Sequence, residues 1–172
     1  MSWWKTALYD TCSLITLDKV LLDRPSLSRQ FPSTILALDE SFTTDQMEDE
    51  STERMRERVT IQALPSPTEL AALLSATQLS RALSAVDTLV YATSVHVQLS
   101  VVTADKRLAR AVKKKGLQVG NMAIILKELV AADLLTKKAC ERVLLALAAR
   151  NDFILGVPNP TWRGLKDYRF PS

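Results

Sequence analysis

The stretch Leu83 to Val119, LSAVDTLVYATSVHVQLSVVTADKRLARAVKKKGLQV, constrains the fold more than any other part of the chain. From Ser84 its apolar residues Val86, Leu89, Val90, Thr93 and Val97 recur at three- and four-residue steps, which predicts a helix. Leu99 to Val102 is a short apolar run rich in β-branched residues, as a buried strand requires. A second helix starts near Asp105, turns Leu108, Ala111 and Val112 inward and stops at Gly116. Gln118 to Gly120 resumes an extended run. A strand, a crossover helix and a second strand of these lengths form a right-handed βαβ unit, whose strands are parallel neighbours.

Two carboxylates stand where this unit changes direction. Asp105 follows the strand in Thr103-Ala104-Asp105, at the carboxyl end where open α/β sheets place their ligands. Asp87 lies in the first turn of the preceding helix. Both also fit purely structural roles: Ser84-x-x-Asp87 reads as a capping box and Asp105 as an N-cap.

The rest of the chain supplies matching pieces. Lys5 to Tyr9 reads as extended and is followed directly by Asp10, then by a helix carrying Leu14, Leu17, Val20, Leu21 and Leu22. Thr34 to Leu38 is the second strand. Asp39 to Arg58 reads as a long polar helix, interrupted or frayed near Glu48 to Ser51. Val59 to Leu64 is the third strand, and Pro67-Thr68 opens a helix reaching about Leu79, with Leu70, Leu73 and Leu74 inward. Met122 to Leu135 and Thr136 to Arg150 give two more helices. These elements predict an α/β fold, three layers with a central, mostly parallel sheet of about five strands. Residues 1–150 form the domain, and 151–172, interrupted by prolines, form an extension that straps it.

Composition removes several classes of function. Of the 172 residues 47% are apolar and 24% charged, as in an ordinary globular domain, and no apolar run reaches the roughly 18–20 residues of a membrane span. Two cysteines make no disulfide framework, which points to the cytoplasm. The single histidine, His96, sits on an apolar helix and reads as a packing residue; without a GxSxG elbow it supports no serine or cysteine triad. Four glycines and no GxxxxGKS or GxGxxG pattern leave no glycine cradle for nucleotide phosphates. The net charge of +3 is unevenly spread: residues 45–57 are acidic, whereas Lys106 to Lys115 hold six cations in ten positions.

The segments LYDTCSLITL (8–17), LSAVDTLVYAT (83–93) and VVTADKRLARAVKKKGLQV (101–119) together resemble the PIN domain, a family of metal-dependent ribonucleases that includes VapC-like toxins. NMAIILKELVAADLLTKKACERVLLAL (121–147) resembles the C-terminal helix pair of one PIN subgroup, so the likeness spans about residues 5–150. It implies an endoribonuclease for single-stranded RNA, a toxin with a cognate antitoxin or a stand-alone relative, and a homodimer. It also implies Mg²⁺ or Mn²⁺ held by Asp10, Asp87 and Asp105, with Asp45 or Glu40 as the remaining catalytic acid. Thr11, Ser13 and Thr103 would support the carboxylates, and Lys106, Arg107, Arg110, Lys113 and Lys114 would draw the RNA backbone. Cys12 stands where the family has a small polar residue, and Asp45 is one methylene shorter than the family's glutamate. The alternative is a PIN-like module that binds RNA or protein without cutting. A flavodoxin-like or receiver-like domain fits less well, because a receiver pairs acids beside its first Asp. The Trp3-Trp4 start and the helix bearing Leu21 and Leu22 are the expected dimer surface.

The chemistry agrees with the resemblance. Hard divalent cations take oxygen ligands, and clustered carboxylates repel one another until a cation neutralises them.

Overall fold

The computed structural model describes residues 2–32, 35–43, 46–76, 83–152 and 160–170. Its centre is a five-stranded, all-parallel sheet of β1 (Leu8–Tyr9), β2 (Ile35–Ala37), β3 (Val59–Ile61), β4 (Val101–Val102) and β5 (Val119–Gly120), in the order β3-β2-β1-β4-β5. Every neighbouring pair is parallel, including β4 with β5, as the organising stretch demands. Strand side chains alternate between two apolar layers, the two-residue period of a pleated strand. Tyr9, Ile35, Ala37 and Val102 enter one core, and Leu8, Leu36 and Val101 enter the other.

The helices follow the same division. On one side, α1 (Thr11–Asp23), α6 (Met122–Ala131), α7 (Lys137–Ala149) and α2 (Asp49–Arg56) bury Leu14, Leu17, Met55, Ile125, Leu129, Val143 and Leu147. On the other, α4 (Ala85–Val97) and α5 (Lys106–Lys114) bury Val90, Tyr91, Leu108 and Val112. The fold is therefore a three-layer α/β/α arrangement. α5 stops at Gly116, whose φ of +79° is open to glycine at no steric cost. No helix among the described residues is long and apolar enough to cross a membrane.

Several elements differ from the sequence expectation. Strand β1 is only two residues long, because Trp3–Thr6 is a 3-10 turn. The pair of indoles explains it: Trp3 and Trp4 donate their Nε1–H groups to the two oxygens of Glu128 on α6, at 2.7 and 2.9 Å. Trp4 is buried and Trp3 lies so close to Gly120 that a Cβ there would meet its ring at 2.7 Å. The Trp3-Trp4 start thus packs inward and is removed from the expected dimer surface, whereas Leu22 remains 49% exposed.

The long polar helix is also replaced. A 3-10 turn, Asp39–Phe42, follows β2, and α2 begins only at Asp49. Phe42 and Met47, five residues apart, would lie about 140° apart on one helix; leaving the helix lets both bury in the same core. α2 is fixed to α1 by Asp18, a buried carboxylate that accepts from Arg54 Nε and Nη2 and from Ser51 Oγ. α3 (Pro67–Ser75) opens with a Ser66–Glu69 capping box, and its Leu70, Leu73 and Leu74 are half-buried. Val97 is 37% exposed, and His96 is exposed with Nε2 3.7 Å from Glu69, so neither is a packing residue. Thr34 and Leu79, at the expected ends of two elements, lie outside the described residues.

In the C-terminal segment, α8 (Trp162–Asp167) lies against α6 and α7. Leu165 is buried, and the Tyr168 hydroxyl accepts from Asn121 Nδ2 at 2.7 Å. Lys127 Nζ donates to the Lys166 and Tyr168 carbonyls, and Glu141 accepts from the Trp162 amide.

Candidate active site

The strand order reverses direction between β1 and β4, and the carboxyl ends of those two strands form the crevice where open parallel sheets bind ligands. Asp10 follows β1 and Thr103 follows β4. Asp10 is the N-cap of α1: its Oδ1 accepts from the Ser13 amide at 2.8 Å. Its Oδ2 accepts from the Thr103 hydroxyl at 2.5 Å. That hydroxyl in turn accepts from the Asp105 amide at 2.9 Å, so one Oγ1 joins the acid of β1 to the loop leaving β4.

Asp10 is 2% exposed, and among the described residues no cation pairs with it. Burial pushes its carboxyl up to about 6, the hydrogen bonds from Thr103 and Ser13 oppose that rise, and the negative charge of Asp87 adds to it. The Ser13 side chain sits beside the carboxylate, yet its Oγ is buried with no partner in hydrogen-bond geometry. A buried carboxylate without a counter-cation, next to an orphaned hydroxyl, is an unsatisfied arrangement.

Asp87 and Asp105 reach the same edge by different routes. α4 precedes β4 and runs against it, so its first turn returns to the carboxyl edge. There Asp87 Oδ2 closes the capping box with the Ser84 amide and hydroxyl. Asp105 Oδ1 caps α5, accepting from the Arg107 and Leu108 amides at 2.6 and 2.8 Å. In both, the cap bonds fall on a single oxygen. The structural and the chemical readings of these residues are therefore compatible.

Cys12 reports how the acids are gathered. Its side chain reaches solvent but stands in a recess, and its thiol is pushed up to about 12. Desolvation is the largest cause, followed by the charges of Asp10, Asp87, Asp105 and Asp152. The sequence reading missed Asp152. It follows α7, accepts from Thr16 Oγ1 at 3.0 Å and from Lys19 Nζ at 3.2 Å, and faces the same recess. No local pattern marks it, because its partners lie 136 and 133 positions away.

The remaining expected residues divide. Thr11 does not touch a carboxylate; its hydroxyl donates to the Ser41 carbonyl at 3.1 Å and ties the turn after β2 to the head of α1. Glu40 lies on that turn, half-buried. Asp45 lies outside the described residues. Of the basic run, Lys106 and Arg107 stand in the first turn of α5, beside Asp105. Lys113 and Lys114 stand in its last turn, roughly 10 Å further along the helix axis, toward the opposite edge of the sheet.

The donor set of this edge is carboxylate and hydroxyl oxygen, which suits Mg²⁺ or Mn²⁺ in chemistry. Its geometry is looser than the resemblance implies. Among the described residues no three carboxylate, thiol or imidazole side chains form a group that could hold a metal ion. Asp10, Asp87 and Asp105 share one electrostatic neighbourhood without forming a ligand triad.

Fold and edge together define a doubly wound α/β domain with an acidic crevice at its topological switch point. No protein-family model and no curated protein sequence matches the chain.

Proposed function

We propose that this chain is a PIN-like, metal-dependent endoribonuclease acting on single-stranded RNA. The observation that carries the reading is Asp10, a buried acid with no cation beside it among the described residues, at the strand-order switch and under the charge of Asp87. An acid so placed is relieved by a divalent cation, and Asp87 and Asp105 would hold that cation with it. Such a cation would supply an activated water and charge compensation at the scissile phosphate. Thr103 fixes the direction of Asp10 Oδ2 and the distance to the Asp105 loop. Ser13 holds Oδ1 through its amide. Lys106 and Arg107, in the first turn of α5 beside Asp105, would draw the RNA backbone. A role as the toxin of a toxin–antitoxin pair, and a homodimer, belong to the same proposal through the resemblance.

The test is a paired one. Mn²⁺ should raise the melting temperature of the chain and start cleavage of unstructured RNA, and Asp10→Asn should remove both responses. Wild-type protein that neither binds Mn²⁺ nor cuts RNA would refute the enzyme.

One observation favours a second reading, a PIN-like module that binds RNA without cutting. Asp87 and Asp105 are both engaged as helix caps, and no ligand triad is preformed among the described residues. RNA binding that is unchanged by chelation, with no product formed, would select it.

A further inference from the structure

A cleft of about 350 Å³ opens beside the candidate site, between the head of α1, the loop after β4, the start of α6 and the residues following α7. We propose that this cleft holds a guanine base of the RNA strand, in the nucleotide next to the phosphate at Asp10. The inference rests on the ribonuclease reading and adds to it the base that the site selects.

Size and lining come first. Ligand pockets begin at roughly 300 Å³, so this cleft takes one ring system with part of its sugar, not an extended chain. Ile15, Ala104 and Met122 supply apolar surface for a flat ring. Unstacked bases of single-stranded RNA are bound against such surfaces and read along their Watson–Crick edges.

Charge then narrows the occupant. The only charged groups of the lining, among the described residues, are Lys19 and Asp152, 3.2 Å apart and mutually neutralising. With that pair closed, the lining offers no spare cation to a phosphate among the described residues, so the phosphate stays outside the cleft. A neutral group rich in hydrogen-bond donors fits it instead.

The pattern of polar atoms selects the base. Lys19 Nζ is a donor standing beside two acceptors, the oxygens of Asp152, of which only Oδ2 takes the bonds from Thr16 and Lys19. Guanine presents, in a row, the acceptor O6 and the donors N1–H and N2–H, and so matches all three positions. Uracil matches two, through O4 and N3–H. Adenine and cytosine also match two, through the exocyclic amine and the adjacent ring nitrogen. Ser13 lies on the wall shared by the cleft and Asp10, and its amide, which donates to Asp10 Oδ1, reports on both.

The full chain, freed of metal by chelator, is titrated with the four nucleoside 5′-monophosphates while backbone amides are followed by NMR. GMP should shift the Ser13, Asn121 and Asn151 amides saturably, at least about fivefold more tightly than AMP, CMP or UMP, since one matched contact is lost with each of those. Asp152→Asn should bring GMP to the level of the others. Lys19→Met removes the donor to O6 by a separate route and should weaken GMP as well. Equal affinities, shifts confined to other parts of the chain, or a GMP preference untouched in both variants would overturn the proposal. A parallel Mn²⁺ cleavage assay keeps the two readings apart: guanine-selective shifts support the cleft whatever that assay gives, and a flat titration alongside active cleavage removes the cleft alone.

Discussion

Replacing Asp10 by Asn isolates the electrostatic strain at the sheet edge. The folded-state carboxyl is raised from 3.8 to about 6, mainly by burial. A group whose pKa is raised on folding binds protons more tightly when folded, so its stabilising share is complete below about pH 4. That share is lost as pH rises through about 6. Two units of displacement amount to roughly 3 kcal/mol of destabilisation at pH 8. Asn at this position keeps the acceptor for the Ser13 amide but turns an N–H toward the Thr103 hydroxyl, a loss of about 1 kcal/mol. Asp10→Asn should therefore be more stable than wild type by about 2 kcal/mol at pH 8 without metal, which in a chain this long is roughly 4–8 °C in Tm. Below pH 4 the order should reverse by about 1 kcal/mol. Urea unfolding of chelator-treated protein at half-unit steps from pH 4 to 8 measures the difference directly. A constant offset between the two proteins across that range would refute the buried, cation-starved carboxylate on which the functional reading stands.

Three further outcomes are expected. Asp105→Asn should keep the α5 cap and an unfolding free energy within about 1 kcal/mol of wild type while abolishing Mn²⁺-dependent cleavage, whereas Asp105→Ala should also cost about 1–2 kcal/mol in urea unfolding. Glu128→Ala leaves the Trp3 and Trp4 indole N–H groups without their acceptor and should cost about 2–4 kcal/mol, with a shift in tryptophan emission to accompany it. Lys106→Ala should lower the salt slope of RNA binding by about one in fluorescence anisotropy, while Lys113→Ala with Lys114→Ala changes it little, because those residues stand at the far end of α5.

The sequence exposed those parts of the fold whose causes are local. In Leu83–Val119 the helix period, the strand run, the two caps and the terminal glycine all lie within a few residues of what they determine. The positions of Asp10, Asp87 and Asp105 could be read for the same reason, since each opens a helix. What escaped has distant causes. The indole pair is ordered by Glu128, more than 120 positions away, and Asp18 by Ser51 and Arg54 of another helix. Asp152 enters the site only because α7 returns to the sheet edge from which α6 departed. The polar run after β2 was legible only in part: its interruption was expected near Glu48 to Ser51, but no glycine or proline marks the earlier departure that lets Phe42 and Met47 both bury in the core.

The outer strands of the sheet carry a last consequence. β3 is three residues long and β5 only two, so among the described residues each edge offers only a few backbone groups to a further strand. A strand from another molecule docking there would gain two or three hydrogen bonds, too few to offset the entropy of ordering it. Short edges of this kind act as a built-in brake on cross-β growth. Concentrated protein should stay free of fibrils while its helices hold, and aggregation should begin only once the helical layers have melted.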